Sequence, residues 1–372
     1  MNFNKRINLI LKQAFHLRHE IYTWLAYRLP LFPHRFVFIL TNRCNLSCKN
    51  CFQDRQEKKD TLTKEQWIAL SDELPKSTRI TITGGEPLLA IGFQEIFASI
   101  GRKHYCNLIT NGILLTEEIV DLLLSLPKFK VLAVSIDNLK SCKSDIRSVN
   151  ERQWLNLEKM LKYFIVRRNA KGSQCILEIK TLVLDENADC LYDIHRYCME
   201  ELQADHHTFQ FLKGNPLQHS DRSFDFCKIF ENYDSHIYNN FDSIIRELNR
   251  IKEYNVLHNK IAFLHPVVAD LNTDKKLGDI SFLNGPAFRK HLFKPCKFPW
   301  SSIHVNYDGQ LFPCLSISLG NVKEKPVRRI IKEKPYKDFL TIIREHGHVN
   351  ACNGCGWLRP YTRKNIQYGG KN

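Results

Sequence analysis

Apolar runs of strand length alternate with amphipathic helical patterns over residues 36–215, and this alternation constrains the fold more than any other feature of the sequence. The six runs are RFVFILT, RITIT, YCNLIT, KVLAVS, CILEIKTLVL and HTFQFLKG. Strands separated by helices of this length pair in parallel through right-handed crossovers. Because six such units fall short of the eight that close a (β/α) barrel, the sequence predicts an α/β fold, a partial (β/α)6 barrel that is open on one side.

Three other segments accompany the predicted barrel. An amphipathic helix is predicted over residues 5–29, where apolar residues recur three or four positions apart before the break LPLFP. The region after the barrel holds a helical pattern, FDSIIRELNRIK, and a strand pattern, KIAFLH. The tail is rich in cysteine and contains a β-hairpin pattern, IHVNYDGQLFPC, with an Asp-Gly turn. We therefore expect four regions, with bounds 1–35, 36–215, 216–290 and 291–372.

The net charge and the cysteine content limit the cellular compartment and the binding partners that we expect for this protein. The chain of 372 residues carries a formal net charge of +15, which favours anionic partners without choosing among nucleic acid, acidic lipid and acidic peptide. It contains 13 cysteines but has no apolar secretion signal and no apolar run long enough to cross a membrane. We therefore expect a cytoplasmic protein with reduced thiols. The basic helix over 5–29 leaves open a peripheral contact with an anionic membrane.

Three cysteines lie within eight positions of the loop RCNLSCKNCFQ, directly after the first predicted strand: Cys44, Cys48 and Cys51. A tetrahedral zinc site needs four ligands, and disulfides need an even number of cysteines and an oxidising compartment. Thiolates are soft ligands that suit iron–sulfur clusters. Three of them can hold three irons of a 4Fe–4S cluster and leave the fourth iron open to an external ligand.

This loop resembles the signature of the radical SAM superfamily, and it stands where that family places it, after the first strand of a repeating βα chain. The motifs TGGEP at residues 83–87 and SID at 135–137 agree with the resemblance. The resemblance implies an enzyme that binds S-adenosylmethionine at the open iron and cleaves it reductively to a 5′-deoxyadenosyl radical, which abstracts hydrogen from a substrate. It also implies an electron donor such as flavodoxin or ferredoxin.

The same resemblance implies a set of cofactor-binding residues. Gly84 and Gly85 would let backbone groups approach a ligand closely, and Glu86 would accept a hydrogen bond from the ammonium group of S-adenosylmethionine. Ser135 and Asp137 would bind its ribose or carboxylate, and Arg147 would form a bidentate contact with the carboxylate. Each residue also has an ordinary alternative as a turn, cap or surface residue. The sequence identifies no catalytic acid or base.

A second cysteine set lies in the tail: Cys296, Cys314, Cys352 and Cys355. Its pattern, with Pro-Trp after the first cysteine and a closing CNGC, resembles the SPASM and twitch extensions of radical SAM enzymes. Four ligands imply one auxiliary 4Fe–4S cluster, although structural zinc suits the same spacing. The other six cysteines show no ligand spacing and are expected to be small buried apolar residues.

The substrate is not encoded in these motifs. The resemblance is compatible with a peptide, a lipid-linked molecule, or a cofactor or natural-product precursor. Only 35 residues precede the first strand, too few for a peptide-binding winged-helix domain to form its own core, which weakens the peptide interpretation. The alternative from another class is a non-catalytic, zinc-stabilised, basic nucleic-acid-binding protein. The sequence disfavours it, because no nucleic-acid-binding motif is present and the three-cysteine loop would have no role.

Overall fold

The computed structural model describes residues 18–51, 53, 61–140, 142, 146–212, 215–218, 220–234, 236–275, 277–278, 280–285 and 288–361. Residues 18–28 are helical (α1), and residues 5–17 of the predicted N-terminal helix lie outside the described ranges. None of the helices in the described ranges is long and apolar enough to cross a membrane.

One nine-stranded sheet organises the molecule, in the order β7-β6-β5-β4-β3-β2-β1-β8-β9. All neighbouring strands are parallel except β8 and β9, which are antiparallel. The strands are β1 Arg35–Ile39, β2 Arg79–Thr83, β3 Tyr105–Thr110, β4 Phe129–Ser135, β5 Ile176–Val183, β6 His206–Phe211, β7 Ala262–His265, β8 Ser302–Val305 and β9 Leu311–Phe312.

Helices follow the first six strands, as the alternating pattern predicts. After α1 they are α2 Lys64–Glu73, α3 Phe93–Lys103, α4 Glu117–Ser125, α5 Glu151–Ala170, α6 Leu191–Glu200, α7 Phe241–His258, α8 Val327–Ile330 and α9 Lys334–His346. Two of them begin with a capping box. Thr63 caps α2 with Gln66, and Asn150 caps α5 with Gln153, so backbone N–H groups of the first turn are satisfied before tertiary packing begins.

The two faces of the sheet differ in chemistry. In β5 the buried residues Leu177 and Ile179 belong to the main hydrophobic core, whereas Glu178 and Lys180 alternate with them and are less buried. Alternation with a period of two places these polar residues on the face opposite that core. The sheet therefore has one apolar face and one face with polar residues.

The fold class is confirmed, and the structure adds two details that the sequence left open. The strand predicted within 216–290 is β7, and it extends the parallel sheet beyond β6. The predicted hairpin is formed by β8 and β9 around Asp308 and Gly309, but it does not stand apart from the barrel. Instead, β8 pairs in parallel with β1, so the cysteine-rich tail continues the same sheet.

Candidate active site

The first cysteine set (Cys44, Cys48 and Cys51) lies at the carboxyl end of β1, where parallel α/β sheets place their ligands. The Cys51 N–H donates to the Cys48 carbonyl oxygen at 3.3 Å, which closes a tight turn between these two ligand candidates. Burial raises the pKa of the Cys48 thiol, the Arg147 guanidinium opposes that rise, and the charges of Cys51 and Cys44 add to it. The three thiols are thus close enough to interact electrostatically, beside a cation that would stabilise thiolates.

Gly84 and Gly85 pack against the backbone of the cysteine loop. The Gly85 N–H donates to the Thr41 carbonyl oxygen at 2.7 Å, and the Glu86 N–H donates to the Arg43 carbonyl oxygen at 2.7 Å. A Cβ atom added to Gly85 would lie 2.3 Å from the Arg43 oxygen, and one on Gly84 would lie 2.6 Å from the Thr41 oxygen. These glycines therefore approach the backbone of the cysteine loop closely, and their predicted approach to a ligand stays a prediction.

Glu86 is held by hydrogen bonds from three protein groups. Its side chain is fully buried and accepts hydrogen bonds from Thr110 Oγ1 at 2.7 Å, from the Asn111 N–H at 2.8 Å and from the Leu88 N–H at 3.1 Å. Burial raises the pKa of this carboxyl group to about 6, although these three donors and Arg147 act in the opposite direction. These contacts tie Glu86 to β3 and the loop after it, and its predicted contact with the ammonium group of S-adenosylmethionine stays a prediction.

A cavity of about 230 Å³ adjoins the cysteine loop at the carboxyl ends of β3 and β4. Of the residues predicted to bind the cofactor, Ser135, Asp137 and Arg147 line this cavity. Its wall also includes residues that the sequence analysis did not assign to the site. They are Leu46, Asn111, Ile113, Ile136, Asn138, Leu139, Lys140, Cys142, Val149, Trp154 and Leu157. Most of these are apolar, which is typical of a small-molecule site with few polar anchors. The sequence analysis missed them because an apolar side chain belongs to no motif that marks it as part of a site.

Arg147 and Asp137 form the charged wall of the cavity. Arg147 Nε donates to Asp137 Oδ2 at 2.6 Å, and Asp137 Oδ1 accepts from the Leu182 N–H at 2.8 Å. Burial alone would lower the pKa of Arg147, but the charges of Asp137 and Cys48 outweigh it and raise that pKa. Asp137 therefore holds the guanidinium at the cavity wall.

Asn111, in the motif TNG directly after β3, makes a turn interaction and a second contact. Its Oδ1 accepts from the Ile113 N–H at 3.0 Å, which is the turn interaction. Its Nδ2 donates to Asn45 Oδ1 at 2.8 Å and lies 3.9 Å from Cys44 Sγ. The only available signal was the motif TNG at the carboxyl end of β3, which does not reveal a contact with the cysteine loop.

The second cysteine set (Cys296, Cys314, Cys352 and Cys355) belongs to one hydrophobic core with Trp300, Phe339 and other tail residues. Burial raises the pKa of Cys296 to about 12, and the charge of Cys355 adds to the effect. Burial also raises the pKa of Cys314 and Cys352, and the charges of their cysteine neighbours contribute further. Uncompensated thiolates would be unfavourable in this environment, so the set is suited to a bound cation.

The chemistry of both cysteine sets fits iron–sulfur clusters. Within the described ranges, no three or more His, Cys, Asp or Glu side chains surround a single metal-ion position. In a 4Fe–4S cluster each thiolate binds a different iron, so the sulfurs need not gather around one point as they do around zinc. The loop of the first set also holds three buried polar atoms with no hydrogen-bond partner among the described residues, Asn45 Nδ2, Asn50 Nδ2 and Gln53 Oε1. Such atoms are suited to contact a polar ligand.

The remaining cysteines agree only in part with their predicted burial. Cys106, Cys175 and Cys198 are buried as expected. Cys142 and Cys190 are half-buried and Cys227 is exposed, so the prediction is wrong for Cys227. An apolar neighbourhood in sequence does not distinguish an exposed cysteine in a loop from a buried one in a strand.

Two protein-family models match the chain. The radical SAM superfamily matches residues 38–167, which contain the first cysteine set, the glycine turn and the cavity wall. SPASM, described as an iron-sulfur cluster-binding domain, matches residues 296–356, which contain all four cysteines of the second set. These matches favour iron–sulfur over zinc in the tail, and they do not favour the nucleic-acid-binding alternative.

Relatives and solved structures of similar fold agree with these matches. The antilisterial bacteriocin subtilosin biosynthesis protein AlbA of Bacillus subtilis (strain 168) is 24% identical over 383 residues, which covers 95% of this chain and 75% of that protein. Streptococcus suis SuiB bound to precursor peptide SuiA has a TM-score of 0.60 at 15% identity, with coverage of 93% of this chain and 76% of that one. Native anSMEcpe with bound AdoMet and a Cp18Cys peptide has a TM-score of 0.56 at 15% identity, with coverage of 90% and 94%.

The matches also confirm the cofactor classes predicted from the cysteines: S-adenosylmethionine, the 4Fe–4S cluster that binds it, and an auxiliary iron–sulfur cluster. The chain belongs to the radical SAM superfamily and carries a C-terminal SPASM domain.

Proposed function

We propose that this enzyme is a peptide maturase, which uses radical cleavage of S-adenosylmethionine to abstract a hydrogen atom from a peptide. Three proteins of similar sequence or fold support a peptide substrate by what they make or bind. One is a bacteriocin biosynthesis protein, one is bound to a precursor peptide, and one is bound to a Cp18Cys peptide. These similarities outweigh the argument from the short segment before β1, because a peptide can bind elsewhere on the fold.

The observation that carries the proposal is a polar face that runs from the cavity to the tail. Ser135 in the cavity wall is the register partner of Lys180 on β5, and Lys180 is the partner of Thr208 on β6. Two residues further along β6, Gln210 is the partner of His265 on β7, whose Nδ1 lies 3.3 Å from the Gly356 carbonyl oxygen. Gly356 directly follows Cys355 of the second set.

This face carries an ion pair, with the Lys180 and Glu178 side chains 32% and 15% exposed. Glu178 Oε1 accepts from Thr208 Oγ1 at 2.6 Å and from Lys180 Nζ at 3.3 Å. His206 Nε2 lies 3.4 Å from the same carboxylate oxygen. Alternating donors and acceptors along parallel strands can bind an extended chain that crosses them. A peptide on this face would lie between the two cysteine sets.

The site residues have distinct roles in this proposal. Cys44, Cys48 and Cys51 would hold the first cluster, and Cys296, Cys314, Cys352 and Cys355 would hold the auxiliary one. Arg147 and Ser135 would bind the carboxylate of S-adenosylmethionine, while Trp154, Ile113 and Val149 would exclude water from the cavity. When bound, the reduced first cluster supplies the electron that splits S-adenosylmethionine into methionine and a 5′-deoxyadenosyl radical.

A deuterium-transfer experiment tests the substrate class. The reconstituted enzyme, S-adenosylmethionine and dithionite are incubated with a fully deuterated bacterial extract that has been separated into peptide and small-molecule fractions. We expect deuterium in 5′-deoxyadenosine with the peptide fraction only, and loss of that transfer after the fraction is digested with protease. Transfer from the small-molecule fraction alone would contradict a peptide substrate and leave the radical chemistry intact.

An exposed apolar face on α1 supports the finer proposal of a membrane contact. Ile21 and Trp24 on α1 are exposed, as are Leu29 and Leu31 just after it, and the Arg28 guanidinium lies 5.1 Å from the Trp24 ring centre. The opposite side docks on the tail, where Thr23 Oγ1 donates to Ser301 Oγ at 2.8 Å. Aromatic and basic residues side by side are typical of helices that lie on anionic bilayers.

Vesicle flotation tests this contact. The wild-type protein should float with vesicles that contain phosphatidylglycerol and remain unbound with pure phosphatidylcholine, whereas Trp24→Ser should lose binding. Equal binding to both vesicles, or none to either, would overturn the membrane contact.

The net charge of +15 favours an acidic electron donor of the flavodoxin or ferredoxin type. Surface plasmon resonance with purified donors would test this partner.

A further inference from the structure

The side-chain amide of Asn111 is held in one orientation. Its Oδ1 accepts from the Ile113 N–H at 3.0 Å, and its Nδ2 donates to Asn45 Oδ1 at 2.8 Å. Exchange of the two amide atoms would place donor against donor at Ile113 and acceptor against acceptor at Asn45. The hydrogen-bond network thus resolves the usual ambiguity of an amide group. In this orientation the NH₂ group, not the oxygen, lies 3.9 Å from Cys44 Sγ.

The backbone of Asn111 is fixed as firmly as its side chain. Glu86 Oε2 accepts from the Asn111 N–H at 2.8 Å, and Glu86 Oε1 accepts from Thr110 Oγ1 at 2.7 Å. Thr110 Oγ1 also accepts from the Gly112 N–H at 2.9 Å. Glu86 is 0% exposed and Asn111 is 8% exposed. A buried carboxylate therefore anchors the donor that faces the cysteine sulfur.

We propose that Asn111 donates an N–H hydrogen bond to the Cys44 sulfur and thereby raises the reduction potential of the cluster held by the first cysteine set, with Glu86 as the positioning residue. This inference rests on the assignment of Cys44 as a cluster ligand in the proposed function. Reduction adds one electron to the cluster and breaks no bond to Asn111. The added negative charge resides partly on the thiolate sulfurs, so a donor aimed at one of them stabilises the reduced state more than the oxidised state.

The local environment strengthens this effect. Burial lowers the effective dielectric around Asn111 and Glu86, where a hydrogen bond is electrostatically stronger than in water. A fixed donor also needs no reorganisation when the electron arrives. Hydrogen bonds to the sulfurs are among the main determinants of cluster potential, and within the described ranges the Asn111 amide is a side-chain donor aimed at a sulfur of the first set.

Four variants test the proposal by potentiometric titration of the reconstituted protein, followed by electron paramagnetic resonance without S-adenosylmethionine. Asn111→Leu removes the donor without adding charge. Asn111→Asp keeps a side-chain oxygen that can accept from the Ile113 N–H. Its second carboxylate oxygen can accept from Asn45 Nδ2, which has no hydrogen-bond partner among the described residues, once the Asn45 amide turns. Glu86→Gln disturbs the anchor alone. Asn138→Asp adds the same charge elsewhere in the cavity wall and serves as the charge control.

We expect a more negative potential in Asn111→Leu and Asn111→Asp, and a smaller shift in the same direction in Glu86→Gln. At the wild-type midpoint the oxidised-to-reduced ratio should rise at least about threefold, on a scale where a tenfold change is about 59 mV for one electron. The shift in Asn111→Asp should exceed that in Asn138→Asp.

A wild-type potential in either Asn111 variant with full iron content would overturn the proposal. If Asn111→Leu does not retain its iron, Asn111→Asp alone decides. Failure of the underlying assignment has a different signature. In that case Cys44→Ala would keep both the iron content and the spectrum of the wild-type protein.

Discussion

Arg147 Nε lies 2.6 Å from Asp137 Oδ2, with the Asp137 side chain only 3% exposed and the Arg147 side chain 14% exposed. The pair joins the carboxyl end of β4 to the loop that precedes α5, and both residues line the cavity beside the first cysteine set. Asp137 also accepts from the Leu182 N–H on β5. A fixed cation is thus placed next to the cysteine loop by a carboxylate that is itself anchored to two strands.

Arg147→Ala should lower both S-adenosylmethionine affinity and stability. Loss of one partner from a buried ion pair leaves an uncompensated charge and costs about 3–5 kcal/mol. Arg167→Ala is the matched control, because Arg167 Nε contacts Asp121 Oδ1 at 2.8 Å with side chains 40% and 37% exposed. An exposed ion pair is screened by solvent and contributes little to stability. Urea unfolding measures the stability of both variants, and equilibrium dialysis measures their affinity for S-adenosylmethionine. Equal losses of stability and affinity in the two variants would refute this role of Arg147.

Gly85→Ala should displace the cysteine loop. The new Cβ would lie 2.3 Å from the Arg43 carbonyl oxygen and 2.8 Å from the Asn42 oxygen, both of which are backbone atoms. Overpacking of this kind costs about 1–3 kcal/mol, and it should reduce the iron retained by the first set. Gly278→Ala is the control, since nothing lies within 4 Å of its added Cβ. Iron analysis and thermal unfolding compare the variants, and normal iron content in Gly85→Ala would contradict this account of the glycine turn.

The elements of the barrel were predictable because their signals are local. Thr63 and Asn150 mark helix starts through capping boxes, and the apolar runs mark strands, so the βα order followed directly. The pairing of β8 with β1 was not predictable, because it joins residues 302–305 to residues 35–38. No local pattern encodes such a distant partner.

Within the site, the sequence indicated which residue types are present but not the orientation of their side chains. Ser135 ends β4 and Arg147 lines the same cavity, while Cys44 follows β1; the binding roles predicted for these residues stay predictions. The role of Glu86 at the cofactor stays a prediction, and the sequence did not reveal its hydrogen bonds with Thr110 and the Asn111 backbone. Its orientation depends on the neighbouring strand β3, which one motif cannot reveal.

The carboxyl group of Glu86 should make stability depend on pH. Burial raises its pKa from 4.5 to about 6, so between these values the folded protein binds more protons than the unfolded chain. The free energy of unfolding contributed by this group therefore falls as pH rises through the range from about 4.5 to about 6, by about 2 kcal/mol over the complete titration at 1.36 kcal/mol per pKa unit. Glu86→Gln should lack this dependence in urea unfolding across the window. Parallel pH profiles for the two proteins would show that Glu86 is not the titrating group.

The double variant Cys352→Ala/Cys355→Ala should lose the auxiliary cluster alone. With four irons per cluster, bound iron should fall from about eight to about four per chain. Unproductive cleavage of S-adenosylmethionine should survive, because the first set lies at the end of β1 and takes no ligand from the tail. Cys227→Ala, at an exposed position, should keep all of the iron. Four irons plus one zinc in the unmutated protein would contradict an auxiliary cluster.

Cleavage of S-adenosylmethionine by the reconstituted, dithionite-reduced protein tests the central claim most directly. We predict that the wild-type protein releases 5′-deoxyadenosine, and that replacement of Cys44, Cys48 and Cys51 together by Ala abolishes the release while the second cysteine set keeps its iron. Liquid chromatography with mass detection measures the product. Continued release of 5′-deoxyadenosine by the triple variant, or none from the fully iron-loaded wild-type protein, would contradict the account.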